Sequence, residues 1–295
     1  MNVPVPAGRV AATPIRPACP LCRVALVPDT DGAGDGLRCE TCGARYGSTM
    51  GVPELFLSRE ADGVTGRVQA LYDHVAHDYD QVFKPHVAEH YLRKRTAVVR
   101  DLLPSGGAVL DVGCGTGALA GWIQRAGYDV VGVDASAGML RQALDQHGVG
   151  AVYAGFSSAL PLEDNAFDLA LSVATMHHLE TPERVAATIA EMGRVVRPGG
   201  YVLIWDHNPL NPYWPILMKR VPQDHGDERL VSLRELLGAV KVAGLRPVRA
   251  ARMGLVPDFM PAGAMPIWTR VESIVEGSSV LSLIAAHNVV VAQKP

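Results

Sequence analysis

The stretch LDVGCGTG at residues 110–117 is the feature that most constrains the fold of this chain. It places three glycines between the apolar run AVLDVG (108–113), which predicts a buried strand, and GALAGWIQRAG, which predicts a helix ending at Gly127. Glycine allows the backbone to turn tightly and a ligand to approach it closely. A strand, a glycine turn and a helix together predict a ligand site at the carboxyl end of a parallel sheet.

The alternation of apolar runs and helical patterns continues to the end of the chain. Further strands are predicted at 128–134, 151–155, 167–175, 201–207, 245–251 and 288–295, and further helices at 136–148, 182–196 and 232–244. Ser136 and Pro182 suit helix starts, and Gly148 suits a helix end. Strand–helix alternation of this kind predicts an α/β fold, with an open, mostly parallel sheet of seven strands and helices on both faces.

The composition is that of a globular chain without a large basic field. Hydrophobic residues make up 48% and charged residues 19% of the 295 residues, and the formal net charge is −3. This charge argues against long-range attraction of nucleic acid. No apolar run has the 18 or more residues of a membrane span, so none is predicted. Residues 1–16 are expected to form a disordered tail, and the few cysteines indicate a reducing, cytoplasmic location.

Four of the five cysteines form two CxxC pairs, Cys19 with Cys22 and Cys39 with Cys42, and sixteen residues separate the pairs. Each pair is a tight turn that can direct two thiolates at one ion, and two such turns complete a tetrahedral zinc site. Four thiolates leave no open coordination position, so this zinc would be structural. A zinc-ribbon module is therefore predicted over 17–58, with two disulfides or unrelated thiols as the alternative.

An acidic residue ends the second predicted strand of the sheet. Asp134 follows Gly113 by twenty-one residues, where a carboxylate can accept hydrogen bonds from both hydroxyls of a ribose. Dinucleotide-binding folds share this logic, but the glycine spacing here is GxGxG and not the GxGxxG suited to a pyrophosphate. Asp111 precedes the turn, where an anion would repel a pyrophosphate and attract an ammonium group.

Four successive segments resemble the motifs of class I S-adenosylmethionine-dependent methyltransferases: VLDVGCGTG, VVGVDASAGML, LPLEDNAFDLALSVATMHHLE and EMGRVVRPGGYVLI. The resemblance spans residues 70–210. The segment LYDHVAHDYD (71–80) is also similar to the helix that covers the cofactor in methyltransferases of the quinone-biosynthesis type. The resemblance implies a Rossmann-like domain over 105–295, a helical lead-in over 59–104 and S-adenosylmethionine as cofactor.

The resemblance also implies the residues that bind the cofactor. The glycine turn would hold its methionine part, with Asp111 near the amine, and Asp134 would bind the ribose. Tyr79 would close the site from above. The full set is Asp111, Gly113, Cys114, Gly115, Thr116, Gly117, Asp134, Ala135, Met139, Phe156, Ser157, Ser172 and Val173.

One position departs from the pattern of the family. Phe156 stands where many members have an acid that meets the adenine amino group. Adenine recognition would therefore rest on stacking and on the backbone amide of Ser157.

The cysteine layout resembles short zinc-ribbon modules found ahead of methyltransferases or as their partners. Some ribosomal-RNA guanine methyltransferases begin with a comparable knuckle. Residues 1–60 contain six arginines, no lysine and six acids, so the segment is neutral before the negative charge of a zinc–thiolate centre is added. Phosphate-binding modules are usually strongly basic. We therefore expect a scaffolding role, as a wall of the active site or as a contact in a homodimer.

Side chains at two strand ends are candidate bases, which oxygen and nitrogen nucleophiles need. His177 and His178 follow the fourth strand, and Asp206 and His207 end the fifth. An imidazole titrates near neutral pH and is the best matched of these groups. His178, His207 and Tyr79 are the predicted catalytic residues, with a structural or cofactor-facing role as the alternative for the two histidines.

Histidines and basic residues in the lead-in are expected to face solvent. His74, His77, His86 and His90 have a helical spacing that could mimic a metal site, but a solvated helix face is favoured. The basic run YLRKRTAVVR (91–100) is likewise interpreted as the exposed face of a helix, in preference to an RNA-binding groove.

Two segments, 208–230 and 253–285, are expected to roof the substrate site. The second is rich in Met, Phe, Pro and Trp, and its predicted lid residues are Phe259, Met260, Met265 and Trp268, with core packing as the alternative. Such a lid suits an apolar or aromatic acceptor, for example a lipid, a polyketide, an isoprenoid or another product of secondary metabolism.

Three functions remain open from the sequence. The first is methyl transfer to a small, apolar or aromatic metabolite by a domain that carries a structural zinc. The second is methylation of an rRNA or tRNA base, with the zinc module contacting RNA. The third is a non-catalytic scaffold that binds S-adenosylmethionine. The neutral module and the apolar lid favour the first, with a small-molecule acceptor as partner.

Overall fold

A computed structural model describes residues 15–30, 36–57, 63–82, 84–217 and 228–295. Most of the predicted tail, the middle of the loop between the cysteine pairs (31–35) and part of the first roof segment (218–227) lie outside the described residues.

The zinc-ribbon segment consists of very short strands. Strands β1 (Val27–Pro28), β2 (Leu37–Arg38) and β3 (Arg45–Tyr46) form an antiparallel sheet, and β4 (Ser48–Thr49) pairs with β5 (Val52–Pro53). Its buried cluster consists of Cys19, Leu26, Cys39, Tyr46 and Leu55. A core of this size buries too little apolar surface to fold alone, so the four thiols have to be part of what stabilises it.

The main sheet has the predicted seven strands. They are β6 (Ala108–Val112), β7 (Asp129–Asp134), β8 (Ala151–Ala154), β9 (Phe167–Val173), β10 (Val196–His207), β11 (Arg246–Met253) and β12 (His287–Gln293), in the order β11-β12-β10-β9-β6-β7-β8. Strand β12 is antiparallel to both neighbours, and the other pairs are parallel. The predicted Rossmann-like, mostly parallel architecture is confirmed. Strand β10 begins earlier than predicted because Val196 already pairs with Phe167, before the register shifts across RPGG.

Helices cover both faces of this sheet. They are α1 (Gly63–Val75), α2 (Pro85–Leu102), α3 (Ala118–Arg125), α4 (Ala137–Asp145), α5 (Pro182–Val195), α6 (Trp214–Leu217), α7 (Leu233–Val242) and α8 (Met265–Gly277). Apolar residues of α5 and α7 pack on one face, and those of α2, α3 and α4 pack on the other. The hydroxyl of Ser136 caps α4 by accepting a hydrogen bond from the amide of Met139 at 3.0 Å. None of the described helices is long and apolar enough to cross a lipid bilayer.

The zinc-ribbon segment covers the β8 edge of the sheet. The amide of Leu55 donates to the carbonyl of Ala154 at 2.7 Å, and the amide of Ala18 donates to the carbonyl of Pro161 at 2.8 Å. These bonds satisfy backbone groups that an exposed edge strand would leave unpaired. The segment thus extends the sheet next to the strand that leads into the predicted adenine site.

The predicted solvation of the lead-in histidines is wrong for one half of the segment. His74 and His77 are exposed, as expected. His86 Nε2 instead lies 2.7 Å from the carbonyl oxygen of Met260, and His90 Nε2 lies 2.8 Å from the carboxylate of Glu272. The reason is that α8 and the loop before it pack against α2. The amphipathic pattern of α2 did not reveal this second, polar interface.

Candidate active site

A cavity of about 900 Å³ opens at the carboxyl ends of β6, β7, β9 and β10. Residues of the lead-in, of 211–214 and of 255–259 close it on the other side. Small-molecule sites span about 300–1,000 Å³, so this volume lies at the upper end. The cavity is large enough for two small ligands side by side.

The glycine turn gives the cavity its floor. Gly113 has a φ of +72°, and a Cβ at this position would lie 2.4 Å from Thr175 Oγ1. Gly115 has a φ of +54°, and a Cβ here would meet no atom within 4 Å. The backbone of Gly115 therefore borders open space, which a ligand can approach closely. Gly117 serves packing instead, because a Cβ there would lie 2.6 Å from Ala143 Cβ on α4.

Asp134 connects the two strand ends that form this floor. Its carboxylate accepts hydrogen bonds from the amide of Gly115 at 2.9 Å and from the amide of Ser136 at 2.9 Å. Burial raises the pKa of Asp134, although these amides act in the opposite direction. The carboxylate is thus fixed in orientation beside the glycine turn, where a ribose would need it.

Two opposite charges lie at the other end of the floor without pairing. Asp111 is buried, and burial followed by repulsion from Asp134 raises its pKa to about 7. Arg95 on α2 lines the same cavity and lies over the rings of Tyr91 and Trp205, at 5.5 and 5.8 Å from their centroids. Among the described residues, no acceptor forms a hydrogen bond or ion pair with Arg95, and its Nε is buried without a partner.

The interpretation of 91–100 as an exposed helix face is therefore wrong at Arg95. Val87, Tyr91 and Arg95 follow one another at four-residue intervals, and all three line the cavity. Residues four apart share one face of a helix, and this face is turned towards the sheet. Arg93 and Arg100 lie on the exposed face, as predicted.

Side chains of the lead-in attach it to the glycine turn. Thr116 Oγ1 donates to Asp80 Oδ1 at 2.7 Å, and His147 Nε2 lies 2.6 Å from Asp80 Oδ2. Burial would raise the pKa of Asp80, but its contacts with His147 and Thr116 lower it below the ordinary value. Tyr79, next to Asp80, lines the cavity, so the residue predicted to close the site is held beside it.

The predicted adenine wall carries an aromatic pair. The rings of Phe156 and Phe56 lie 4.8 Å apart, and Phe156 lines the cavity. Phe56 belongs to the segment that follows β5, so the zinc-ribbon segment supports this wall from behind. Ser157 lines the cavity too, and its hydroxyl lies 2.9 Å from that of Thr188.

Imidazole rings crowd the ends of β9 and β10. His177 Nδ1 lies 2.9 Å from Asp206 Oδ1, and the amides of Met176 and His207 donate to the same carboxylate at 2.6 and 2.7 Å. Burial would raise the pKa of Asp206, but His177 and these amides lower it, so the carboxylate is ionised at neutral pH. His178 Nε2 lies 2.9 Å from the hydroxyl of Tyr72.

His207 lies inside an aromatic stack. Its ring stacks on Trp214 at 3.6 Å and on His177 at 4.1 Å. Burial, reinforced by neighbouring imidazoles, lowers the pKa of His207 and of His178 well below the ordinary value. Both rings are therefore neutral at pH 7 and able to accept a proton.

Most of the predicted site residues meet at the cavity. The residues that line it are Tyr79, Asp111, Gly113, Cys114, Gly115, Thr116, Asp134, Ala135, Met139, Phe156, Ser157, Val173, His178 and His207. Gly117 and Ser172 are not among them. Of the predicted lid residues, Phe259 and Trp268 line the cavity, whereas Met260 is buried and Met265 packs against its cluster.

Five residues were missed by the sequence analysis: Phe56, Tyr72, Asp80, Arg95 and His147. A signal existed for Tyr72 and Asp80, because both belong to the segment LYDHVAHDYD that resembles the cofactor-covering helix. The four-residue spacing from Val87 could have revealed Arg95. Nothing in the pattern around His147 or Phe56 indicated a role at the cavity.

The four cysteine thiols of the zinc-ribbon segment fit a metal ion. Their sulfur atoms all lie within 4.8 Å of one another, and Cys19 Sγ and Cys42 Sγ are 3.8 Å apart. The hydrogen bond with Cys42, together with burial, raises the pKa of Cys22 to about 12. Thiols this close cannot all ionise without a cation, and a zinc ion would supply that cation. The predicted ligand set Cys19, Cys22, Cys39 and Cys42 is compatible with zinc.

A second group has ligand atoms at similar separations but different geometry. Potential ligand atoms of His177, Asp206 and His207 also lie within 4.8 Å of one another. The rings of His177 and His207 are stacked, with an angle of 19° between their planes. Imidazole lone pairs lie in the ring plane, so two stacked rings cannot converge on one ion without rotating. We interpret this group as a hydrogen-bonded and stacked cluster around Asp206.

Comparison with known proteins agrees with this geometry. Residues 110–204 match the family model described as a methyltransferase domain. The chain is 33% identical to the 2-phytyl-1,4-naphtoquinone methyltransferase of Nostoc punctiforme, over 50% of this chain and 68% of the relative. It is 31% identical to the tRNA (carboxymethyluridine(34)-5-O)-methyltransferase of Arabidopsis thaliana, over 54% of this chain but only 40% of that protein's length.

A solved structure shares the fold. The Thermotoga maritima protein described as a SAM-dependent methyltransferase, possible histamine N-methyltransferase, aligns with a TM-score of 0.57 and 23% identity, over 77% of this chain and 100% of that one.

The fold and the site define an α/β protein that binds a nucleoside-containing cofactor at the carboxyl ends of its strands. The glycine turn, the carboxylate of Asp134 beside it and the matched relatives make the class more specific. The chain belongs to the family of S-adenosylmethionine-dependent methyltransferases.

Proposed function

We propose that this protein transfers a methyl group from S-adenosylmethionine to a small, apolar or aromatic acceptor. The observation that carries this proposal is the cavity of about 900 Å³, which combines a cofactor floor with a mainly apolar and aromatic acceptor region. Its acceptor region includes Trp214, Phe259 and Trp268. Rings and alkyl surface of this kind favour a planar or apolar acceptor.

The residues of the floor fit S-adenosylmethionine. Asp134 would hold the ribose, and the open backbone of Gly115 and Thr116 would hold the methionine part. Phe156 and Met139 would contact the adenine, with Phe156 supported by Phe56. When bound, this cofactor supplies an electrophilic methyl group on a positively charged sulfur. The protein then has to orient the acceptor and exclude water, which the lead-in and the two roof segments are positioned to do.

An acceptor hydroxyl or amine would lose its proton to an imidazole at the ends of β9 and β10. His178 is our first candidate, because its ring is neutral, lines the cavity and contacts Tyr72 Oη. Its low pKa alone makes it a weak base. The ionised carboxylate of Asp206 opposes this effect only in part, so the pKa of His178 stays below its ordinary value. His207 is held by its stack on Trp214 and would shape the acceptor site.

The quinone-type relative supports a cyclic, apolar acceptor, since the matched Nostoc protein is a naphthoquinone methyltransferase. A natural product of secondary metabolism could offer the same kind of cyclic, apolar acceptor. The relative from Arabidopsis keeps tRNA as the second candidate acceptor. The balance of charges in residues 1–60, with six arginines and six acids, argues against tRNA as the acceptor.

The proposal is tested by methyl transfer from radiolabelled S-adenosylmethionine in cell extract. We expect label in the fraction that extracts into organic solvent, and mass spectrometry of that fraction identifies the acceptor. Label confined to RNA would replace the proposed acceptor with tRNA or rRNA. Binding of the cofactor without label in any fraction would leave a non-catalytic scaffold. His178→Ala and Tyr72→Phe should lower kcat for the identified acceptor, with cofactor affinity changed less than about two-fold.

We also propose one structural zinc ion per chain, held by the four cysteines. Metal analysis of the purified protein should give about one zinc per chain, and removal of the metal should unfold the zinc-ribbon segment. The cytoplasmic location and the homodimer stay predictions from the sequence.

A further inference from the structure

Helix α8 exposes isoleucines and buries an acid, which is the reverse of an ordinary surface helix. Ile267 is 69% exposed and Ile274 is 66% exposed, and their spacing of seven residues places them on one face. Glu272 is 2% exposed on the opposite face, where Lys94 Nζ donates to its carboxylate at 2.7 Å. Exposed isoleucine and buried glutamate both cost free energy in water. The arrangement therefore indicates that an apolar partner covers the outer face of α8.

This outer face continues into the short helical turn at 281–284, which packs against α8. Most of the large hydrophobic side chains that are exposed among the described residues lie in 210–216 and 259–284. Contiguous apolar patches on a protein surface mark interaction sites, whereas single exposed side chains do not. We call the patch on α8 and the turn after it the apolar rim, and its members are Ile267, Ile274, Val280, Leu281, Leu283 and Ile284.

The apolar rim lies at the mouth of the cavity. Ile284 belongs to the rim and also lines the cavity, and Phe259 is likewise both exposed and cavity-lining. The side-chain amide of Asn211 donates to the carbonyl of Ile284 at 2.6 Å, and the rings of Tyr213 and Phe259 lie 5.9 Å apart. The rim is thus continuous with the segments that close the cavity. An apolar acceptor could pass from whatever covers the rim into the cavity without crossing water.

The exposed charges beside the rim are positive. Arg270 is exposed on the outer face of α8, and Lys84 Nζ donates to the carbonyl of Phe259 at 2.7 Å. No acid is exposed among the described residues of 208–217 and 253–285, although the whole chain has a formal net charge of −3. Cations that surround exposed apolar side chains complement the anionic headgroups and the acyl chains of a lipid surface.

We propose that the apolar rim docks on a lipid bilayer with anionic headgroups, and that the acceptor enters the cavity from this bilayer. The inference deepens the proposed function and rests on it, because it makes the apolar acceptor a molecule dissolved in lipid. Helix α8 lies in the bilayer interface, with Ile267 and Ile274 among the acyl chains and the guanidinium of Arg270 at the headgroups.

A second copy of this chain is the alternative cover for the rim. Two rims packed face to face would bury both copies of Arg270 and Lys84, and these segments offer no exposed acid to pair with them. Such a dimer would also close the mouth of the cavity, through which the acceptor has to pass. Both consequences favour the bilayer.

Vesicle sedimentation with the full chain tests the proposal. The wild type should bind vesicles of phosphatidylcholine mixed with phosphatidylglycerol, in the absence of cofactor and acceptor. The combined substitutions Ile267→Ser and Ile274→Ser should lower the partition coefficient by about 100-fold, because two aliphatic side chains no longer enter the acyl region. Arg270→Ser should lower it by about five-fold on the mixed vesicles and leave binding to phosphatidylcholine alone unchanged.

A matched variant controls for the loss of any exposed aliphatic side chain. Val242 is 84% exposed at the end of α7, before the amino end of β11 and therefore away from the cavity. Val242→Ser should bind the mixed vesicles as the wild type does. The cavity is lined by neither Ile267 nor Ile274, so their combined substitution should leave the affinity for S-adenosylmethionine and the thermal unfolding midpoint unchanged.

Three results would overturn the docking. The first is absence of wild-type binding to the mixed vesicles, and the second is equal binding by the wild type and the combined Ile267 and Ile274 variant. The third is a dimer in analytical ultracentrifugation that the combined substitutions dissociate, without vesicle binding, which would assign the rim to a second copy. The radiolabel assay fails separately. Label in the organic-solvent fraction without vesicle binding would refute only the docking, whereas label confined to RNA would refute the proposed acceptor and its entry from the bilayer.

Discussion

The floor and the roof of the cavity are held by different kinds of contact. The floor (111–116 and 134–136) is held by backbone amides: that of Gly113 donates to the carbonyl of Val133 at 2.8 Å, and those of Gly115 and Ser136 donate to the carboxylate of Asp134. The roof (211–214 and 255–259) depends on side chains, such as the hydrogen bond of 2.5 Å from Tyr213 Oη to Asp258 Oδ1. Lys84 Nζ, from outside the roof, donates to the carbonyl of Phe259 at 2.7 Å.

This difference indicates that the floor and the roof have different roles. Backbone contacts between buried strand ends cannot rearrange without disrupting the sheet, so the floor is a rigid template for the cofactor. Single side-chain contacts between exposed or half-buried groups can break and re-form on short time scales, so we expect the roof to open for the acceptor. Cofactor affinity should therefore respond strongly to changes in the floor, and acceptor exchange should respond to changes in the roof.

The largest effect is expected from Asp134→Asn. The substitution keeps the shape of the side chain but removes the charge that the amides of Gly115 and Ser136 orient. Loss of charge-assisted hydrogen bonds to the ribose and to the turn should weaken S-adenosylmethionine binding by about 100-fold or more. Calorimetry measures this directly. Asp101→Asn, an exposed acid at the end of α2, is the control and should bind normally. A loss below ten-fold in Asp134→Asn would contradict the role of the floor.

A smaller effect is expected when the proposed zinc ion is removed. The zinc-ribbon segment supports the predicted adenine wall, next to the floor, through the contact of Phe56 with Phe156 and through the bond from Leu55 to Ala154. Chelation should lower cofactor affinity by about ten-fold, because the wall loses its support while Asp134 stays in place. Zinc should restore binding when it is added back.

The variant Phe56→Ala distinguishes the effect of the metal from the effect of the aromatic contact with Phe156. It should keep its zinc and still lose part of the affinity for the cofactor, about three- to ten-fold. If chelation weakens binding and Phe56→Ala does not, the zinc-ribbon segment acts through the backbone pairing with β8 and not through the aromatic contact.

The geometry of the floor could be predicted from the sequence, whereas for the roof only its two segments could be predicted and not the contacts that hold them, for a physical reason. The floor lies within one strand–turn–helix unit and the end of the next strand, so the residues from Asp111 to Asp134 carry its geometry in their order and spacing. The roof and the lead-in depend on pairs that are remote in the chain, such as Tyr72 with His178, which are 106 residues apart. No local pattern encodes such a pair.

Arg95 shows how a correct pattern can still mislead. The helix around it was predicted, and the run of basic residues suggested an exposed face. Burial of Arg95 depends on what packs against α2, and that is decided by the order of the strands and by α8. The electrostatic environment of a side chain such as Arg95 is therefore determined by the assembled fold and not by the local sequence.

The pH dependence of cofactor binding should reveal the ionisation of Asp111 in the floor. Burial and the nearby Asp134 raise the pKa of Asp111 to about 7 in the free protein. Only the ionised carboxylate attracts the cofactor's ammonium group, so affinity should rise by about five-fold from pH 6 to pH 7 and level off above it. Above pH 8 it should fall again, as the α-amino group, with a pKa of about 8, loses its proton.

Calorimetry in buffers of different ionisation enthalpy measures the proton release that accompanies this rise. Asp111→Asn should bind more weakly and should lose the acidic limb. An acidic limb that persists in Asp111→Asn would assign the titration to another group, of which Asp134 is the nearest candidate because burial raises its pKa as well.

The smallest effect is expected in the roof, from Tyr213→Phe. The substitution removes only the hydroxyl that donates to Asp258 and keeps the ring beside Phe259, whose centroid lies 5.9 Å away. One hydrogen bond between half-buried side chains contributes little, so cofactor affinity should change less than two-fold and acceptor dissociation should speed up about two- to five-fold. Stopped-flow tryptophan fluorescence, to which Trp214 of the roof contributes, measures this rate, and Asp258→Asn serves as the comparison. If Tyr213→Phe instead weakened the cofactor as strongly as loss of the Phe56 contact, floor and roof would form one cooperative unit, and the rigid-template interpretation would have to be abandoned.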